Sequence, residues 1–233
     1  MFKQSKRVKS FQNLSIDKAK KYPLKEAIGI LKNAPKVKFD ETVDLSIKLD
    51  IDPKQSEQMV RGTVVLPHGT GKTRKVAAFC KGETQNKATE AGADYVGAED
   101  LMEKVSKGFL DFDIAVATPE MMKDLSKLGK ILGPRGLMPN PKAGTVTEDV
   151  AKAVKEAKGG KVEFRMDKLS NINIAIGKSS FDEKAIYDNA FALIEALQHA
   201  RPQSAKGNFI KSISISTTMG PGIRLDIPNL TKG

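Results

Sequence analysis

Residues 42–51 read TVDLSIKLDI, and they alternate without a fault. Successive side chains of an extended chain point to opposite faces. Val43, Leu45, Ile47, Leu49 and Ile51 therefore share one face, and Thr42, Asp44, Ser46, Lys48 and Asp50 the other. This strict period of two predicts a half-buried strand, and with it a sheet that has one covered and one wet face, antiparallel or mixed. The pattern returns at the far end of the chain. Val162, Phe164 and Met166 alternate with Lys161, Glu163, Arg165 and Asp167; Ile172, Ile174 and Ile176 follow; Ile213 and Ile215 stand among serines. Neither end supplies enough strands for a sheet of its own, so the two ends are predicted to fold together.

The cover for that sheet lies next to the strands. Leu24, Ala27, Ile28 and Leu31 fall at helical spacing after Pro23, a residue suited to the first turn. A second helix is predicted from Phe181 to His199, with Ala185, Ile186, Ala190, Leu193, Ile194 and Leu197 on one side. Ser180 and Glu183 have the spacing of a capping box, and Pro202 follows the helix end. Two helices over one face of a four- or five-stranded sheet make an α+β sandwich.

The middle of the chain has another texture. Residues 76–80 and 114–117 are continuous apolar runs, as expected of strands buried on both faces. Between them come Ala88 to Ala91, the run Asp94-Tyr95-Val96 and a helical stretch over 99–107. Such alternation predicts a small parallel, Rossmann-like three-layer α/β domain. The Gly- and Pro-rich residues 132–141 interrupt regular structure, and 148–158 read as a last helix stopped by Gly159-Gly160. The expected organisation is an α+β domain made of residues 1–67 plus 160–233, with a Rossmann-like domain, 68–159, inserted between them. An insert crossed twice near glycines can move as a rigid body.

Of 233 residues, 39 are Lys or Arg and 28 are Asp or Glu, a net charge of +11. Residues 68–158 carry only +2 of this and the two ends +9, so the attraction to polyanions belongs to the split domain. The basic start, Met1 to Arg7, lacks a secretory apolar stretch; it reads as an arm gripping phosphate, with an organellar transit peptide as the other reading. The longest apolar runs are too short to cross a bilayer, and the single Cys80 suits a reducing compartment; the cytoplasm is the default.

His68-Gly69-Thr70-Gly71-Lys72-Thr73 imitates a phosphate-binding loop, but Leu66 stands where the first glycine is needed, and a strand is predicted where a helix should follow. No dinucleotide fingerprint follows the first strand of the insert, where Lys81-Gly82-Glu83-Thr84 stands. A nucleotide- or small-ligand-binding protein or enzyme built on that insert is the alternative these features weigh against. His68 and His199 stand alone, without metal-ligand spacing, and Cys80 sits within an apolar run; no cofactor, metal or catalytic residue is expected. Asp111 and Asp113 flank Phe112 at a strand entry and read as solvated. Ser212, Ser214, Ser216 and Thr218, by contrast, put four hydroxyls on one strand face before Gly220-Pro221-Gly222. Such a strip matches the ribose 2′-OH of RNA, and a merely solvated strand face is the competing reading.

Three stretches carry a family resemblance: KLGKILGPRGLMPNPKAGTV at 127–146, FDETVDLSIKLDIDPKQSEQMVRGTVVLPHGTGK at 39–72, and TTMGP at 217–221. Through them nearly the whole chain resembles the family of large-subunit ribosomal protein L-one, in its bacterial form. The resemblance implies the same split two-domain fold and a protein, not an enzyme, that binds the stalk region of large-subunit rRNA. It implies release of deacylated tRNA from the exit site and, in many bacterial members, repression of the protein's own operon through a mimic of the rRNA site on its mRNA. It also implies a monomer outside the ribosome and a place in the cytoplasm. The family's RNA contacts fall on Glu26, Lys38, Phe39, Thr42, Arg165, Lys168, Ser212, Thr218, Met219 and Gly220. A core position for Phe39 and a plain helix-surface charge for Glu26 are the competing readings. Ser216 and Met166 depart from the usual family choices. The loop 133–144 either braces the insert or touches rRNA or tRNA; Gly-Pro turns favour bracing.

Overall fold

A computed structural model of the chain describes residues 19–35, 37–53, 58–202 and 207–227, together with Phe11, Ile16, Asp17, Gln55 and Ala205. The basic start Met1 to Arg7 lies outside the described residues. The chain divides into two compact units, residues 1–71 with 164–233, and residues 72–163.

The first unit is built around β1 (Thr42–Leu49), whose burial alternates along its whole length. Val43, Leu45, Ile47 and Leu49 are all at most 2% exposed. β2 (Arg61–Val65) pairs with β6 (Lys161–Arg165) in a separate two-stranded sheet. The main sheet runs β7 (Asn171–Lys178), β1, β8 (Ile210–Thr217), β9 (Ile223–Leu225), so a strand from the start of the chain sits between two from its end. All its pairings are antiparallel, and the register puts Ser46 between Asn173 and Ser214. The inward isoleucines at 172, 174, 176, 213 and 215 are all buried.

Helix α1 (Leu24–Lys32) buries Leu24, Ala27, Ile28 and Leu31, and Pro23 is its N-cap. The long C-terminal helix (Glu183–His199) buries Ile186, Ala190, Leu193, Ile194 and Leu197. Removing such aliphatic side chains from water supplies about 1.5–3 kcal/mol each. This is an α+β sandwich with one sheet face covered. Three details differ from the sequence reading. The strand stops at Leu49, because the N–H of Leu49 turns to the Ser170 carbonyl (2.8 Å) and that of Asp50 to Phe209 (3.0 Å), leaving Ile51 half-buried outside it. The Ser180–Glu183 capping box does not form: Asp182 is the N-cap, and the Ser180 hydroxyl donates instead to Asp40 (2.8 Å). Asn189, on the apolar side of the long helix, is wholly buried. Its Nδ2 donates to the carbonyls of Ile176 (2.7 Å) and Gly69 (2.9 Å), and its Oδ1 accepts from His68 N–H (3.0 Å).

The second unit has three parallel strands in the order β4 (Tyr95–Gly97), β3 (Val76–Phe79), β5 (Ile114–Ala117). Because β3 and nearly all of β5 are buried on both faces, their alternate residues enter different cores. Ala77, Phe79, Ala115 and Ala117 pack with Leu101 and Val105 of a helix over Glu99–Ser106 and with Met121, Leu125, Leu128 and Leu132. Val76, Ala78, Cys80 and Val116 pack with Ala88 of the helix Glu83–Glu90 and with Val150, Ala153, Val154 and Ala157 of the helix Val150–Lys158. That is a three-layer α/β arrangement. A strand, β3, follows the Gly-Lys-Thr run, and burial pushes the Cys80 thiol up from its ordinary value. Residues 133–147 fold back on the sheet: Asn140 N–H donates to Thr145 Oγ1 (2.8 Å), Ala117 N–H to the Thr145 carbonyl (2.9 Å) and Thr147 N–H to the Ala117 carbonyl (3.1 Å). These bonds fasten Thr145 and Thr147, just after the Gly- and Pro-rich loop, to the end of β5.

Candidate nucleic-acid interface

The first turn of β1 and the end of β8 are tied together at the top of the sheet. Thr218 N–H donates to the Thr42 carbonyl (3.0 Å), and Thr42 N–H donates back to Thr218 Oγ1 (3.1 Å). The Thr218 hydroxyl accepts from Thr42 N–H and turns its own hydrogen to the Thr42 carbonyl (3.4 Å), so one accepting lone pair is left on this exposed residue. Gly220 closes the turn, its N–H donating to the Thr217 carbonyl (3.0 Å), and a Cβ at 220 would lie 2.1 Å from Thr217 Oγ1. Only glycine fits there. Met219 between them is 50% exposed.

Phe39 is 53% exposed, so it is not a core residue. It projects from the bend before β1 with Lys38 beside it, also exposed. Asp40 pins this bend. Its carboxylate accepts from the hydroxyls of Ser180 (2.8 Å) and Ser179 (3.0 Å) and from Ser180 N–H (3.1 Å). The Ser180 hydroxyl above all, with Ser179, Ser180 N–H and the charge of Lys178, holds the Asp40 carboxyl below its usual range against the opposing effect of desolvation. Lys178 Nζ donates to Thr42 Oγ1 (3.1 Å).

At the other end of β1, Ser212 lies opposite Lys48, and Lys48 Nζ donates to the Leu169 carbonyl (3.0 Å). Asp167 organises the turn that displays Lys168. Its carboxylate accepts from the N–H groups of Leu169 and Asn171 (both 2.8 Å), which holds its carboxyl below the usual range, the Asn171 bond first. Arg165 and Lys168 are exposed near this turn. Six residues of strand separate Thr42 from Lys48, roughly 20 Å at the usual rise. The structure therefore gathers Lys38, Phe39, Thr42, Thr218, Met219 and Gly220 at one end, and places Arg165, Lys168 and Ser212 towards the other. Asp44, Ser46, Asn173, Ser214 and Ser216 line the uncovered face between. Glu26 is exposed in the first turn of α1, and among the described residues it bonds none of the other nine.

Sequence reasoning missed Asp40, Ser179 and Lys178. Lys178 did carry a signal: it continues the inward parity of Ile172, Ile174 and Ile176, an odd place for a lysine. Among the described residues no group of three or more His, Cys, Asp or Glu could hold a metal ion, and no helix is long and apolar enough to cross a membrane.

The chain is a two-unit α/β protein: a split α+β sandwich that carries a polar, cation-bearing strip, with an inserted three-layer α/β unit. The comparisons with known proteins make this specific. The profile of the ribosomal protein L1p/L10e family matches residues 30–221. The large ribosomal subunit protein uL1 of Protochlamydia amoebophila (strain UWE25) is 54% identical over 227 residues, 97% of this chain and 96% of the relative. That of Thermobifida fusca (strain YX) is 53% identical over 229 residues, 97% of each chain, and that of Thermosipho africanus (strain TCF52B) 55% identical over 233 residues, all of both. The chain belongs to this family, as a ribosomal protein of bacterial type and not an enzyme.

Proposed function

We propose that this chain is a constituent of the large ribosomal subunit in the cytoplasm and binds the stalk region of its rRNA through the α+β unit. The observation that carries this reading is the pairing of Thr42 with Thr218 between two exposed large apolar side chains, Phe39 and Met219. Two large apolar side chains half in water at one end of the sheet offer a surface that a partner can cover. A folded RNA supplies the partners: bases to pack on Phe39 and Met219, ribose hydroxyls for Thr218 and Ser212, and phosphates for Lys38, Arg165 and Lys168. Glu26 belongs to the same patch on the motif match alone. The strip reads shape along its length and not a linear base sequence.

The finer roles are inferred from the family resemblance. Held at the stalk, the chain assists release of deacylated tRNA from the exit site. An mRNA that copies the rRNA site competes for the same surface and represses the operon that encodes the protein. Outside the ribosome the chain acts as a monomer, its inserted unit a separate domain.

Titration of the full chain with a transcript of the stalk segment, beside ATP and NAD, tests the reading. Salt-sensitive binding of the transcript, with neither nucleotide bound, is the expected result. Micromolar nucleotide binding without RNA binding would transfer the function to the Rossmann-like unit.

A further inference from the structure

We propose that Lys178 is a phosphate-binding residue of the RNA interface, and that the glycine stretch ending at Gly71 exists to seat it. The proposal rests on the RNA-binding reading above and adds a contact that the motif match did not supply. Lys178 closes β7 directly opposite Thr42 in the sheet. Its ammonium donates to Thr42 Oγ1 (3.1 Å) and points at the Asp40 carbonyl (3.5 Å), both neutral oxygens. An ammonium has three N–H groups, so one is left for a further acceptor. The Asp40 carboxylate of the bend is already bonded to Ser179 and Ser180. The cation therefore stands at the knot between Thr42 and Thr218, bonded to neutral oxygens and in no ion pair among the described residues, with the Asp40 carboxylate near enough to feel its charge.

The side chain is also built in rather than draped on the surface. Gly71, at φ +70°, lies against its stem: a Cβ there would come within 2.8 Å of Lys178 Cγ and 3.0 Å of the Phe181 ring. The stretch leading to Gly71 is fastened by Asn189, which accepts from His68 N–H (3.0 Å) and donates to the Gly69 carbonyl (2.9 Å), while Thr70 is buried. The sequence that imitates a nucleotide loop thus has a different task, to leave room for a lysine. Fixing a long lysine costs rotamer entropy, and a neutral donor would serve two neutral oxygens as well. What a fixed cation adds is attraction to phosphate, screened less when half-buried than on open surface.

The test uses the full chain and a transcript of the stalk segment of large-subunit rRNA, with affinity measured across a series of salt concentrations. Lys178→Met keeps the stem and removes the charge; Lys178→Gln keeps a donor for Thr42; Lys178→Arg keeps the charge. Each neutralised phosphate contributes about 0.7–0.9 to the slope of log affinity against log salt. Both neutral variants are expected to bind roughly three- to tenfold more weakly at low salt, with the slope shallower by about that one contact, while Lys178→Arg keeps the wild-type slope. A wild-type slope in the neutral variants, at whatever affinity, would make Lys178 a brace for the bend and overturn the proposal. Failure of the wild-type chain to bind the transcript would overturn the RNA reading itself and this contact with it.

Discussion

Thr218 joins two strands that lie 176 positions apart in the chain, and its hydroxyl is already committed to Thr42 N–H. Thr218→Val removes that acceptor as well as the group offered to RNA. It is expected to cost about 1–3 kcal/mol of affinity for the stalk transcript, the penalty of unpaired polar groups, while Thr218→Ser stays close to wild type. Calorimetric titration of the three proteins, with thermal melts to show that the fold persists, checks this. If valine binds as threonine does, the knot is not part of the interface. Asn189 makes the opposite case, a polar residue whose role is internal. Asn189→Leu leaves His68 N–H and the Ile176 and Gly69 carbonyls without their partner. About 1–3 kcal/mol of folding stability should be lost for each group left buried and unpaired. Urea denaturation reads the loss directly, and a variant as stable as wild type would contradict it.

Strands and helices that bury a clean stripe were legible from the residues alone. β1 and α1 were, because a period of two or of 3.6 over several apolar positions has one physical solution. The helix Glu83–Glu90 buries only Ala88, and β9 is a three-residue edge strand after Gly-Pro-Gly; neither leaves a stripe to read. The helical turns between 119 and 132 were missed since they break into short pieces, although Met121, Leu125, Leu128 and Leu132 do share a face. In the candidate interface, Ser212, Thr218 and Gly220 were legible from strand parity and the Gly-Pro-Gly turn, and the other seven residues came from motif resemblance. The bonds that position them, such as Asp40 to Ser180 across 140 positions, have no sequence periodicity at all. Electrostatics between elements can be tested in the same way. Asp94 accepts from Val76 N–H (2.9 Å) and pairs with Lys158 (3.2 Å), and these, the N–H first, hold its carboxyl below the usual value. A depressed carboxyl adds stability above its unfolded pKa, near 3.9, and that contribution disappears as pH falls through the lower folded value. Asp94→Asn should therefore lower the unfolding midpoint at pH 7, and the gap from wild type should close below about pH 4. A gap that stays constant down to strongly acid pH would assign the effect to packing.

For the whole molecule, the division of charge matches the division into units: nearly all the excess of +11 lies in the two chain ends that build the α+β sandwich. Association with RNA should then weaken as counterions compete, and raising salt from about 50 to 200 mM should lower affinity by at least about tenfold. Affinity independent of salt would point to a different kind of contact. The most direct measurement joins residues 1–71 to 164–233 through a short glycine linker, confirms folding by a cooperative melt, and titrates the product with the stalk transcript. Binding within about tenfold of the full chain, with a similar dependence on salt, is the expected result. A folded sandwich that ignores the transcript in dilute buffer would contradict the account.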